Sequence, residues 1–407
     1  MEKKLGFNRI GLLAIIMMFW FVISFITNIL GPLIPDIINK FSLENLTLAG
    51  FIPTSFFVAY AVMSIPAGLM IEKWGEKVVL FIGFLMPLIG SLLFAFHHNY
   101  PVLLVSCFII GLGMAMLQTV MNPLQRTVGG EENYAFVGDC SQVVFSLASF
   151  VSPLVFTYYV AHPMSFAPEG LPWISLYYLF GFILVAMLLV VLITRFPKIE
   201  LKADEKSGSK SSYFELFGQA KVWLFALGLF FYVSTEQSIA NNISLFLERY
   251  HGFDPHTVGA SCVSWFWGSM LIGCLIGLLL LKLIDSKALL KICCSVAIVL
   301  LAVGLFSEGN IAKYALPAVG FAMSLMYPII FSLALNSVTR HHGSFAGIMC
   351  SAIVGGAVGP LLVGMLSDAT SSQRIGMCLI FLFIAYMLFI AFWANPIVKN
   401  KLITDKD

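Results

Sequence analysis

Charged side chains are scarce in this sequence: Asp, Glu, Lys and Arg together make up 11% of its 407 residues, against about 25% in an average soluble domain. The basic residues do not cluster on any folded face, which excludes a nucleic-acid binder. No GxxxxGK[ST] loop is present, so an ATP-binding domain is excluded and uphill work has to draw on a gradient. Neither a paired-carboxylate cluster nor a His, Asp or Ser constellation is found, and the protein is not read as an enzyme. The eight cysteines (Cys107, Cys140, Cys262, Cys274, Cys293, Cys294, Cys350 and Cys378) all fall inside apolar stretches. Their spacing is neither that of a zinc site nor that of a disulfide framework, so they read as small apolar packing residues. His97-His98 and His341-His342 sit in loops, and neither a metal nor an organic cofactor is expected. Period-two alternation is missing too, which argues against a β-barrel.

What the sequence has is apolar mass. Hydrophobic residues make up 59% of it, 37 of them Phe, and they run through the whole length. A helix crossing the hydrocarbon core of a bilayer needs about 20 apolar residues. Runs of that length recur at 10–38, 46–71, 78–97, 101–125, 134–161, 171–194, 219–247, 257–284, 288–306, 312–338, 344–368 and 375–396, which makes twelve. The first is too long for a signal-peptide core and no small-residue cleavage site follows it, so it counts as a span. With both termini cytoplasmic, 19 of the 23 basic residues fall inside and only Lys40, Arg249, Lys313 and Arg374 outside. The positive-inside rule therefore sets the orientation, and an odd number of spans would scramble the count.

The longest polar stretch, Arg195 to Phe217, contains KIELKADEKSGSKSS and divides the spans six and six. Its Ser, Gly and charge content reads as a flexible linker. The expected organisation is a six-helix bundle over 1–195, a cytoplasmic linker over 196–218, and a second bundle with a short tail over 219–407. An internal repeat supports the division. Asn122-Pro123 in span 4 matches Tyr327-Pro328 in span 10 at an offset of 205, and Ser152-Pro153-Leu154 in span 5 matches Gly359-Pro360-Leu361 in span 11 at 207. The fold expected is an all-α membrane protein, twelve transmembrane helices in two pseudo-symmetric six-helix bundles.

The loop between spans 2 and 3 reads Gly68-Leu69-Met70-Ile71-Glu72-Lys73-Trp74-Gly75-Glu76-Lys77. Glycine, an acid four residues on, a basic residue, glycine and a further basic residue resemble the signature loop of the major facilitator superfamily. Gly68 permits close helix approach there, and Glu72 can accept from cationic and helix-terminal groups across the bundle, a latch for one conformation. Leu281 stands where the second half would carry the equivalent acid. Four further segments, LQTVMNP (Leu117 to Pro123), FYVSTEQS (Phe231 to Ser238), YPIIFSLAL (Tyr327 to Leu335) and GGAVGPLLVGMLSD (Gly355 to Asp368), resemble hallmarks of the fucose:proton symporter family, which includes glucose/galactose carriers. Fucose-transporting members carry membrane acids in spans 1 and 4, where this chain has Gly31 and Gln118; Gln118 resembles the glucose/galactose branch.

Polar residues at membrane depth point to a site on their own account. Glu236 lies roughly 20 Å along span 7 from its inner end, and no span offers it a Lys or Arg at that depth. An ionised carboxylate there is costly, so a proton, a cation or cavity water has to neutralise it. This makes Glu236 the candidate coupling residue, the other reading being a permanently protonated packing residue. The repeat places it opposite Asn28 in span 1. Gln118 and Asn122 share one face of span 4, Gln142 lies in span 5, and Gln237, Asn241 and Asn242 lie in span 7. Amides both donate and accept, which suits a polyhydroxylated neutral solute. Each alone serves equally well as glue between helices; their concentration in spans 1, 4, 5 and 7 favours ligand contact. Trp265, Trp267 and Tyr327 can offer a stacking face to a sugar ring, with packing the equal alternative. Asp139, near Arg126 at the inner end of span 5, joins Gly68, Glu72, Gly75 and Lys77 in an expected gate network, while Glu248 and Asp368 read as solvated caps at outer helix ends.

Together these features imply a secondary active transporter of the bacterial inner membrane, a functional monomer that imports a neutral fucose-, glucose- or galactose-like monosaccharide. Proton or sodium symport through alternating access is expected. A facilitative uniporter, or a carrier of another small polar solute with the same fold, is the alternative.

Overall fold

A computed structural model describes residues 5–129, 134–165, 167–168, 171–196, 215–338 and 342–396. Twelve helices among them are long and apolar enough to cross a membrane. Span 1 is two helices, Leu5–Thr27 and Leu30–Phe41, followed by span 2 (Leu46–Trp74), span 3 (Glu76–Phe96), span 4 (Tyr100–Gly129), span 5 (Tyr134–Ala161) and span 6 (Ser175–Ile193 after the turn Pro172–Ile174). The second half comprises span 7 (Ala220–His251), span 8 (Ala260–Leu283 after the turn Pro255–Gly259), span 9 (Ser286–Phe306), span 10 (Gly309–Met323 and Met326–Leu335), span 11 (His342–Ser351, Ala352–Val354 and Gly355–Thr370) and span 12 (Gln373–Trp393). Most of the expected linker, 196–218, lies outside the described residues.

Prolines explain the helix breaks in spans 1 and 10. Pro32 has no N–H for the carbonyl of Asn28, and span 1 breaks at residues 28–29. Pro328 likewise leaves the carbonyl of Ser324 unserved where span 10 breaks, and the Cys274 thiol donates to it at 3.7 Å. Cys262 does the same for the carbonyl of Lys313, four residues before Pro317, at 3.3 Å. Two cysteines thus satisfy backbone acceptors that the bilayer could not.

Each half buries its own apolar core. Phe19, Phe84, Phe94, Phe156 and Tyr177 anchor the first, and Phe225, Phe246, Phe266, Trp267 and Phe345 the second. Large apolar side chains such as Leu189, Leu192, Leu279 and Leu382 stay more than half exposed, as faces that meet hydrocarbon should.

With an even number of spans, the start of span 1, the end of span 6, the start of span 7 and the end of span 12 share one side, the linker face; the other is the far face. On the linker face, cations cap helix C-termini within their own half. Arg9 donates to the carbonyl of Val128 at 2.6 Å, Lys77 to those of Leu192 and Thr194 at 2.7 and 3.0 Å, and Lys221 to that of Ser337 at 2.7 Å. A cation there complements the negative end of the helix dipole. Gly75, at φ +82°, makes the turn between spans 2 and 3.

The halves meet toward the far face along two antiparallel seams. Span 2 runs against span 11: Phe57 abuts Gly356, Thr54 donates to the carbonyl of Ala357 at 2.7 Å, and Gly364 abuts Leu46 and Thr47. Asp368 ends this seam by accepting from the backbone N–H of Leu46 at 2.8 Å and of Thr47 at 2.7 Å, and from the Thr47 hydroxyl. The reading of Asp368 as a solvated cap is therefore corrected: it caps the N-terminus of span 2 in the opposite half. Span 5 runs against span 8, with Phe150 against Trp265 and Gly268, Phe156 stacked on His256, and Thr157 donating to the carbonyl of His256 at 2.9 Å. His256 also approaches Asp36 of span 1 at 3.5 Å. Asp254 starts the turn into span 8; the Thr257 hydroxyl, at 2.6 Å, holds its carboxyl below the usual range.

Candidate functional site

Spans 1 and 7 cross at Gly31 and Ala240. A Cβ on Gly31 would stand 2.6 Å from the carbonyl oxygen of Ala240, so only glycine permits this approach. Asn28 lies about 4.5 Å and Glu236 about 6 Å toward the linker face from that crossing. Both therefore sit just beneath the closed end of the molecule.

Each is held by its own half. The Nδ2 of Asn28, at the break in span 1, donates to the Ser149 hydroxyl of span 5 at 2.9 Å and to the carbonyl of Ser24 at 3.2 Å, while its buried Oδ1 has no protein partner. Ser24 and Ser149 are 2.7 Å apart. The Tyr232 hydroxyl donates to Oε1 of Glu236 at 3.0 Å, and the Tyr232 ring meets Tyr327 of span 10 edge-on at 5.6 Å. Tyr327 stacks in turn on Phe331. In span 4, Gln118 donates to the Tyr60 hydroxyl of span 2 at 3.0 Å. Glu236, Gln118 and Tyr327 are each partly exposed, Glu236 between buried neighbours. The far side is sealed one turn from Glu236 by the crossing at Gly31 and Ala240.

Further polar atoms around the crossing lack partners. Trp267 is buried with its Nε1 unpaired, one turn from Val263, the residue that touches the Gly31 position. Buried Ser238 Oγ and Asn241 Nδ2 of span 7 are unpaired as well, and Gln237 is buried beside them. Buried polar atoms without partners are uncommon, and around this crossing donors and acceptors of that kind come from three spans.

Some expected residues fall elsewhere. Asn242 accepts from Gln373 of span 12 at 3.1 Å and donates to the carbonyl of Ser238 at 2.9 Å, so its amide joins helices near the far face. Trp265 is 56% exposed on the lateral face of span 8, turned away from the crossing. Gln142 is exposed about 10 Å nearer the linker face than Ser149. Nothing lies within 4 Å of a Cβ placed on Gly68, so its expected close helix approach is not made in this conformation, where the halves meet at the other end. Lys77 is committed to the end of span 6. The side chains of Asn122, Arg126, Asp139 and Glu72 lie outside the described residues. Tyr60, Tyr232, Ser149 and the Asp36–His256 pair escaped sequence reasoning; Tyr232, four residues before Glu236 on one helix face, carried a readable signal.

Comparison with known proteins adds a second line. The Major Facilitator Superfamily model matches residues 15–360. The chain is 31% identical over 384 residues to a glucose/galactose transporter of Brucella abortus biovar 1 (strain 9-941), covering 90% of this chain and 89% of that protein. It is 26% identical over 404 residues to the L-fucose-proton symporter of Escherichia coli (strain K12), covering 91% and 90%. Among solved structures, a crystal structure of the E. coli fucose:proton symporter superposes with a TM-score of 0.69 at 22% identity, covering 96% of this chain and 99% of the other, a likeness of fold.

Proposed function

This chain belongs to the major facilitator superfamily, a family of membrane transporters rather than enzymes, and from that premise we propose that it is a secondary active transporter importing a neutral monosaccharide together with a cation. The observation that carries the proposal is Glu236. It is a carboxylate at membrane depth whose described hydrogen-bond partners, the Tyr232 hydroxyl and the Gln237 side chain, are both neutral, set one turn beneath the sealed crossing of spans 1 and 7. Around it stand amide, hydroxyl and indole groups with unpaired donors and acceptors, the complement of a polyhydroxylated ring. Tyr327 and Trp267 supply aromatic faces. The relatives named for glucose/galactose and for L-fucose with a proton support a hexose-class substrate and favour the proton as partner.

The mechanism follows from the two halves, residues 1–195 and 219–396, rocking about this group with 196–218 as tether. With the linker face cytoplasmic, as the distribution of basic residues supports, the conformation described above is closed outside and accessible from the cytoplasm, in a multi-pass protein of a bacterial inner membrane. Opening the far side requires the seams of spans 2/11 and 5/8 to part. A proton moving on and off Glu236 as access alternates would link cation flow to sugar flow, because the charged and neutral forms differ in the cost of sitting in a closed cavity. Glu236→Gln keeps the shape of the protonated acid and cannot change charge. Proteoliposomes carrying it should keep sugar exchange and lose uphill uptake. Normal gradient-driven accumulation by the Gln variant would place coupling elsewhere or make the carrier a uniporter.

A further inference from the structure

On the outer side of span 8, away from the crossing, a groove of about 520 Å3 lies between spans 8 and 10 near the far face, lined by Thr257, Ser261, Trp265, Lys313, Tyr314 and Pro317 among others. That volume is in the range of small-ligand pockets, about 300–1,000 Å3. The groove opens sideways: Trp265 is 56% exposed, Tyr314 71% and neighbouring Ile311 52%, on the surface that meets hydrocarbon. It exists because Pro317 and Ala318 are small where the flanking side chains are large.

Its two ends differ chemically. Along the floor the backbone acceptors are already served, the carbonyl of Lys313 by the Cys262 thiol at 3.3 Å and that of Pro317 by the Ser269 hydroxyl at 2.7 Å. A polar solute would find little to bond there, whereas an acyl chain would cover apolar wall. At the mouth stands Lys313, four residues into span 10 and so at the depth of the headgroup region. Its ammonium lies 5.3 Å from the Tyr314 ring and 5.6 Å from the Phe253 ring, and among the described residues no carboxylate is within 4 Å of it. Asp254 also stands at this rim, bonded to Thr257 of the groove, and disfavours a second negative charge on the occupant.

We propose that this groove binds one zwitterionic phospholipid of the far-face leaflet, its phosphate on Lys313 and one acyl chain laid along Pro317 and Trp265. Trp265 packs on Phe150 of the other half at 5.7 Å, so the lipid would abut the seam between spans 5 and 8.

Native mass spectrometry of the full-length protein, delipidated in detergent and titrated with phosphatidylcholine, tests this. One retained phosphatidylcholine per chain is expected. Lys313→Ala should weaken its retention about fivefold, the equivalent of one lysine near a lipid phosphate. Ala318→Phe, which fills the groove, should abolish it. Diacylglycerol, with the chains but no phosphate, should bind wild type no better than phosphatidylcholine binds Lys313→Ala. Equal retention by wild type and Lys313→Ala overturns the proposal, as does equal binding of diacylglycerol and phosphatidylcholine. A lipid-free dimer would overturn it by giving the face to a second copy. Should Ala318→Phe fail to fold, the lysine variant and the diacylglycerol arm still decide.

Discussion

Replacing Asp368 with Asn should release the far-face seam. In the described conformation the carboxylate of Asp368 accepts two backbone N–H bonds, at 2.8 and 2.7 Å, and the Thr47 hydroxyl, all from the opposite half. When the far side opens, Leu46 and Thr47 move away and water takes over these donors. The bonds therefore count toward the difference between the two states. A hydrogen bond to a charged group contributes about 1.5–3 kcal/mol net, and a negative charge at a helix N-terminus about 0.3–1 kcal/mol more. Asn keeps the shape, but one acceptor becomes an NH2 facing an N–H and the charge is gone. A loss of about 2 kcal/mol in the closed state alone would move the equilibrium roughly 30-fold toward the far-open state. Probes introduced as unnatural amino acids at the exposed Lys40 and Arg249 positions, which flank the far ends of spans 1 and 7, report this as a shift of the distance distribution to longer values. An unchanged distribution would refute the reasoning, and Asp368 would then be a cap with equal partners in both states.

Gly31→Ala should disfavour the same closed state by a different route, because its Cβ would lie 2.6 Å from the Ala240 carbonyl oxygen; the same probes should show a far-open shift, and a closed distribution in a folded variant would mean that spans 1 and 7 are not packed as described. Glu72→Ala should move the population balance about 5–30-fold, for a latch contributing about 1–2 kcal/mol, while leaving sugar affinity in a crosslinked single state unchanged. Loss of folding in Glu72→Ala would make the loop a topological anchor instead.

Much of this molecule is local in origin. Lipid rewards apolar surface residue by residue and demands that each backbone polar group be satisfied within its own helix, so twelve spans are legible as twelve runs. Prolines break helices through their own missing N–H, so the interruptions of spans 1 and 10 are local too, once Pro32 and Pro328 are read against the carbonyls four residues back. Glu236 stands out for the same reason, since a carboxylate at that depth is costly whatever surrounds it. None of this determines which helix faces meet. Trp265 and Trp267, two residues apart, point in different directions around span 8, one toward lipid and the other toward the crossing. Asn242 finds its partner 131 positions away in Gln373, and Asp368 caps a helix 321 positions earlier. Lys77 reads as part of a gate and ends on span 6. Composition and periodicity assign a residue its depth. Its partner depends on the rotation of each helix about its axis and on which ends of the halves have closed, and only the packed tertiary structure decides those.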